Sequence, residues 1–263
     1  MNKLDEINAS KQAEIARLEP HAAELRKAAL LRNDFRPFRS ALQLGNDVAI
    51  IAEVKKASPS AGIIAADFNP LSIAREYARG GAHCLSVLTD QKYFHGDLAY
   101  LRQIREQVDL PLLRKDFILH ELQVYESVIA GADAILLIVS AHTDASLSDL
   151  RDEAHSIGLD VLCETHDRQE LQRAIDLGFD LIGVNSRDLR TFTVRPEVFL
   201  ELAPSMPRQT VMVAESGLRT ADEIVKLRAV GYDAFLVGET LMRQPDPAAA
   251  LALLLDREYS KEH

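Results

Sequence analysis

The sequence predicts a (β/α)8 TIM barrel preceded by a helical extension. Three observations carry that expectation. Eight short apolar runs recur along the chain: AIIAEVK (49–55), CLSVLTD (84–90), PLLRKDF (111–117), AILLIVS (134–140), DVLCETH (160–166), LIGVNSR (181–187), TVMVAES (210–216) and AFLVGET (234–240). The fragments GGAHCLSV, AGADAILL, LGFDLIGV and VGYDAFLV repeat one pattern, a glycine, a short turn and then a strand. The chain has 263 residues, close to the roughly 250 that one such barrel needs.

Each element has its own signal. Residues 1–48 stand outside the repeat. Leu4, Ile7, Ile15 and Leu18 suit one helix, Pro20 can open a second, and Leu25, Leu30 and Leu31 continue it. Such an extension could plug the barrel bottom or cap the substrate entrance, and periodicity does not separate the two. After the first strand, the stretch from Lys56 to Asn69 is the longest without helical pattern, and long loops in compact domains are often functional. Asn69-Pro70 opens the first barrel helix, which ends at Gly80-Gly81; the third runs from about Leu119 to Ala130. Thr143 or Asp144 caps the fourth, ending at Gly158; Asp167 caps the fifth, ending at Gly178; Thr220 and Glu223 form a capping box for the seventh. A single repeated unit predicts a single domain over 1–263, with 1–48 as the extension and 49–256 as the barrel.

Composition removes several functions. A formal net charge of −10 argues against a general nucleic-acid binder, which needs a basic face. No run approaches a membrane span, and the N-terminus MNKLDEINASKQAEIARLEP lacks the apolar core of a secretory signal, so the expected location is the cytoplasm. Cys84 and Cys163 both fall inside strand runs with no ligand spacing around them, which favours buried small hydrophobes in a reducing compartment. No metal ligand set is evident.

Barrel strands face other strands inside and helices outside, so a charge inside a strand run is costly unless paired or needed. Glu53 and Lys55 share a face at the end of the first strand. Lys115 alternates with Leu113 and Phe117 in the third; Glu164 closes the fifth; Asn185 and Arg187 share a face of the sixth; Glu215 and Ser216 end the seventh. Each has a structural explanation, such as an ion pair for Glu53 with Lys55 or a loop contact for Asn185, but their coincidence on one rim predicts a site. Glu164 is expected to be a carboxylate without a partner. Gly217 and Gly238 close the last two strands, where barrels commonly bind phosphate. With Lys55 and Arg187 they predict a phosphorylated substrate.

The run IIAEVKKASPSAGII (50–64) resembles the signature of the indole-3-glycerol-phosphate synthases of tryptophan biosynthesis. KYFHG (92–96), LPLLRKDFI (110–118), the Glu164 strand end, IGVNSRDLRTF (182–192), VAESG (213–217) and VGETLM (237–242) resemble that family's remaining blocks, in order and across the whole chain. Ala61 stands where many members carry a lysine.

This resemblance implies conversion of 1-(2-carboxyphenylamino)-1-deoxyribulose 5-phosphate into indole-3-glycerol phosphate, CO2 and water, with no metal or organic cofactor. It implies that Lys115 protonates the carbonyl during ring closure, and that Glu164 acts as a base or stabilises a cationic intermediate. Glu53 and Lys55 would position groups and handle dehydration; how Lys55 and Lys115 divide the acid roles stays open. Asn185, Glu215 and Ser216 would hold substrate hydroxyls and order the lysines. Ser58, Phe94, Phe117, Arg187, Leu189, Gly217, Gly238 and Glu239 would contact substrate, the aromatics at the anthranilate ring and the glycines at the phosphate. Phe94 and Phe117 equally suit a core. The alternatives are another phosphosugar barrel, such as a phosphoribosylanthranilate isomerase-like enzyme using a Cys/Asp pair, and a non-catalytic binding partner. Association with other enzymes of the pathway is left open.

Overall fold

A computed structural model describes residues 3–45, 47–65, 67–188, 191 and 193–255. Eight parallel strands close into a barrel: β1 (Ala49–Val54), β2 (Cys84–Leu88), β3 (Leu112–Lys115), β4 (Ala134–Ile138), β5 (Asp160–Thr165), β6 (Leu181–Asn185), β7 (Val211–Glu215) and β8 (Ala234–Val237). Each pairs with its sequence neighbours, and β1 closes the ring against β8 with Ala49 opposite Ala234. These are the eight predicted runs, each shortened at its polar end, because the residues after the strand turn outward into loops.

Alternation separates the two faces. Ile50, Ala52, Leu85, Val87, Ile135, Leu137, Cys163, Val184 and Phe235 pack outward into the helix layer, whereas Ile51, Leu113, Leu136, Leu162, Val213 and Leu236 fill the interior. The inward set becomes polar only toward the carboxyl ends, so the lower barrel is a packed core and the upper end is a site. Helix boundaries follow their caps. Asn69 accepts a hydrogen bond from Ser72 N–H, Thr143 from Ser146 N–H and Asp167 from Glu170 N–H, and the Thr220–Glu223 capping box is complete. The repeated αβ turn works because Gly81, Gly131, Gly178 and Gly231 adopt positive φ, which costs glycine nothing.

The extension reaches both ends of the barrel. Helix α1 (Lys3–Leu18) lies against the upper rim: Lys11 is fully buried, with Nζ 2.9 Å from Asp90 and 2.7 Å from Asp116, the residues just beyond β2 and β3. Helix α2 (Ala22–Ala29) descends the side of the barrel and ends earlier than expected, leaving Leu30 and Leu31 exposed. The chain then crosses the bottom. Arg32 and the Arg36 amide bind Asp133 before β4, and helix α3 (Phe38–Ala41) buries Phe38 and Leu42 in the barrel interior. The ribbon pairing Ala57–Ser58 with Gly62–Ile63 lies in the long loop after β1. Among the described residues no helix is long and apolar enough to cross a membrane.

Candidate active site

The barrel mouth holds a cavity of about 500 Å³, lined by Glu53, Lys55, Lys115, Glu164, Asn185, Arg187, Glu215, Ser216 and Gly217 among others. Strand register explains the gathering. Asn185 stands opposite Glu215, Glu164 opposite Gly183, Lys115 opposite Leu88 and Glu53 opposite Ser86. Five strands thus place their terminal polar side chains on one ring, above walls formed by Leu136, Ile138 and Leu236.

Lys115 sits at the centre. Its Nζ donates to Glu164 Oε2 at 2.9 Å and lies 3.6 Å from Glu215 Oε2. Burial favours the neutral amine, but the charges of Glu164, Glu215 and Glu53 outweigh it, and the ammonium form is held above its ordinary range. Glu164 is therefore not the unpartnered carboxylate expected from sequence. Burial raises its pKa, yet Lys115 and His166 prevail and keep it well below the usual carboxylate range. Glu215 goes the other way: burial and the charge of Glu164 push it up to about 8, with Lys115 opposing. One lysine between two carboxylates thus leaves one ionised and one protonated near neutrality. Gly183 makes this possible, because a Cβ there would collide with Glu215 Oε1.

Glu53 is buried and ion-paired with Lys55, and both line the cavity. Asn185 accepts from Arg187 N–H at 3.0 Å while lining the cavity. Arg187 reaches across to Ser60 Oγ at 3.0 Å and lies 4.0 Å from Glu239, which also pairs with Arg243. Ser58 accepts from Ala61 N–H and faces the cavity. Phe94 and Phe117 pack with ring centroids 6.3 Å apart and both line the cavity, serving core and wall together. Ser216 and Gly217 are consecutive left-handed residues, a strain that non-glycine residues carry mainly at functional sites. Gly238 is not among the lining residues; it leaves room for Glu53, which a Cβ would strike. Leu189 lies outside the described residues.

Three contributors escaped the sequence reading. His166 contacts Glu164 from outside the cavity, and Arg219 and Arg243 line its mouth. Gly183 carried a usable signal, since glycine inside a strand marks a close approach. The cysteines are not acids here: Cys163 packs into the outer layer, and the Cys84 thiol lies against Phe38 O low in the barrel, with burial pushing both thiols up.

Fold and site define a barrel enzyme with ionisable side chains gathered in the barrel mouth. The family model described as "Indole-3-glycerol phosphate synthase" matches residues 4–254. A relative of that name from Acidithiobacillus ferrooxidans is 50% identical over 254 residues, spanning 94% of this chain and 96% of its own. Another from Koribacter versatilis is 53% identical over 224 residues, spanning 84% and 85%. The chain belongs to the indole-3-glycerol phosphate synthase family, the carboxy-lyases of tryptophan biosynthesis. The isomerase-like alternative is not favoured. Among solved structures, an N-acetylmannosamine-6-phosphate 2-epimerase from Clostridium perfringens superposes with a TM-score of 0.59 at 16% identity, covering 80% of this chain and 92% of that one, and shares the fold alone.

Proposed function

We propose that this cavity carries out the family's ring closure, decarboxylation and dehydration with Lys115 as the general acid of ring closure and Glu164 as its partner. The observation that carries the reading is the Lys115 Nζ poised between Glu164 and Glu215 at the floor of the cavity. An ammonium whose pKa is raised by neighbouring carboxylates is a poor acid in the empty site. As the anthranilate ring attacks the carbonyl, the ring system becomes cationic and draws on Glu164 for stabilisation. Lys115 then loses part of its counter-charge just as the carbonyl oxygen becomes basic, and proton transfer becomes favourable.

Loss of CO2 returns the electron pair to the ring and discharges the cation. Dehydration needs one group to take a proton and another to protonate the departing hydroxyl, and we assign these roles to the Glu53–Lys55 pair, which lines the cavity. Asn185, Ser216 and the protonated Glu215 supply hydrogen bonds for substrate hydroxyls. Arg187, Lys55 and the Gly217 turn form the anchor for a phosphorylated small-molecule substrate, with Ser58 and Glu239 at its edge, Gly238 behind Glu53, and Leu189 assigned by resemblance alone. Phe94 and Phe117 offer an apolar wall to the aromatic ring. The free cysteines are in keeping with work in the cytoplasm.

Lys115→Met tests the assignment. The variant keeps length and apolar stem but has no proton to give, and turnover should fall by about 10²-fold or more. Substrate binding, measured by ligand titration, should largely survive. Near-parental turnover would remove Lys115 from the chemistry. Its ion pairs also give it a structural share, so the thermal midpoint should drop as well, which the sequence alone did not suggest.

A further inference from the structure

Glu164 faces a basic group at each oxygen. Lys115 donates to Oε2, while His166 Nε2 lies 3.3 Å from Oε1, a charge contact without hydrogen-bond geometry. His166 follows β5 directly, and its other nitrogen, Nδ1, lies 2.9 Å from Glu170 Oε2. The same Glu170 oxygen accepts from the His166 backbone N–H at 2.9 Å, and Glu170 is anchored in turn by its own amide bonding to the N-cap Asp167. The imidazole is therefore fixed in backbone and side chain by one carboxylate while it faces another.

His166 does not line the large cavity. It lines a separate cleft with Asp5 of α1, Asp167 and Glu170 at the start of the following helix, and Asp188 and Arg195 from the loop after β6. Asn185 lines both spaces. Burial opposes the imidazolium, but Glu164 and Glu170 outweigh it and lift the pKa to about 10. A cation thus stands behind Glu164 across the physiological range.

We propose that His166, oriented by Glu170, is a positioning residue that sets a positive charge behind the rear oxygen of Glu164 so that the front oxygen stays charged and aimed at Lys115 through turnover. The inference rests on the reading of Glu164 as a participant in the reaction. A carboxylate with a cation beside each oxygen gains a proton less readily, and turns less readily, than one with a cation beside a single oxygen. Because His166 lies outside the substrate cavity, its loss acts on kcat and on the pH dependence, not on affinity.

The test compares the parent with His166→Leu, His166→Gln and Glu164→Gln. Glutamine keeps a donor near the Nε2 position without charge. We expect His166→Leu to lose about ten-fold or more in kcat at neutral pH, with KM changed less than about two-fold and the acid limb of kcat moved up by about one pH unit or more. His166→Gln should recover much of kcat above that limb while the limb stays shifted. Parental kcat and pH profile in His166→Leu overturn the inference. Equal losses in both His166 variants with an unmoved limb also overturn it, and show a merely structural histidine. Near-parental turnover in Glu164→Gln overturns instead the reading beneath it, so the two failures are distinguishable.

Discussion

Glu215 shows how one residue's environment sets a property of the fold. Its carboxyl is buried beside the Glu164 carboxylate, and its pKa rises from 4.5 to about 8. A group raised in the folded state binds its proton more tightly there than in the unfolded chain. Its stabilising contribution is full below the unfolded value and is lost as pH rises through the folded one. Glu215→Gln removes that loss. The thermal midpoint of the variant should gain on the parent from about pH 5 to about pH 9, while turnover near neutrality should change little, because the amide offers a donor and an acceptor as the protonated carboxyl does. Thermal melts across that range check it; a constant difference between the two proteins would contradict the assigned proton. His166, raised toward 10, remains in both proteins and contributes the same decline at higher pH.

At the scale of elements, the informative comparison is between strands and the extension. Glu53, Lys115, Glu164, Asn185 and Glu215 were legible because strand alternation forces an inward, terminal polar residue onto the rim. That inference needs only a period of two and the closure of the barrel. His166 was not legible, because it follows the strand end and its partner Glu170 lies in the next helix. Arg114 carried no such signal, being an outward position of its strand; it is buried and bound to Asp116, Glu126 and Ser127. The site of α1 was likewise hidden, since a helix period tells which face is apolar but not which end of the barrel it meets. Lys11 now supplies the answer and a prediction. Lys11→Met leaves Asp90 and Asp116 buried without their shared cation, and should cost about 3–5 kcal/mol of stability, as breaking a buried pair does. Denaturant unfolding measures this. Turnover of the folded fraction should fall less than in Lys115→Met, because Lys11 does not line the cavity.

For the whole molecule, net charge is a poor guide to the site, whose cations share the cavity with Glu53, Asp116, Glu164, Glu215 and Glu239. The chain carries −10 overall, yet Lys55, Lys115, Arg187, Arg219 and Arg243 all line one cavity. An anionic substrate is therefore admitted by short-range pairing, against the sign of the distant field. Arg187→Met should raise KM by about ten-fold, the scale of one lost charge-assisted hydrogen bond, with a smaller effect on kcat. Inorganic phosphate should compete with substrate, and a dephosphorylated substrate should bind far more weakly. Competition kinetics and titration decide this; equal affinity for the two substrates would refute the anchor. Added salt should weaken binding, since part of the pairing is solvent-accessible.

The extension that spans both barrel ends also sets an order of events during synthesis. Lys11 emerges from the ribosome long before Asp90 and Asp116 exist to receive it. Strand β1 likewise has one edge that only β8 can cover. At about 5–20 residues per second, that edge stays open for roughly ten to forty seconds of translation. Throughout that interval the nascent chain leaves that edge of β1 unpaired, and α1 cannot settle on its rim until β2 and β3 have been made. The barrel is thus sealed by its last strand, and the half-made chain, not the finished enzyme, is the species most in need of a chaperone.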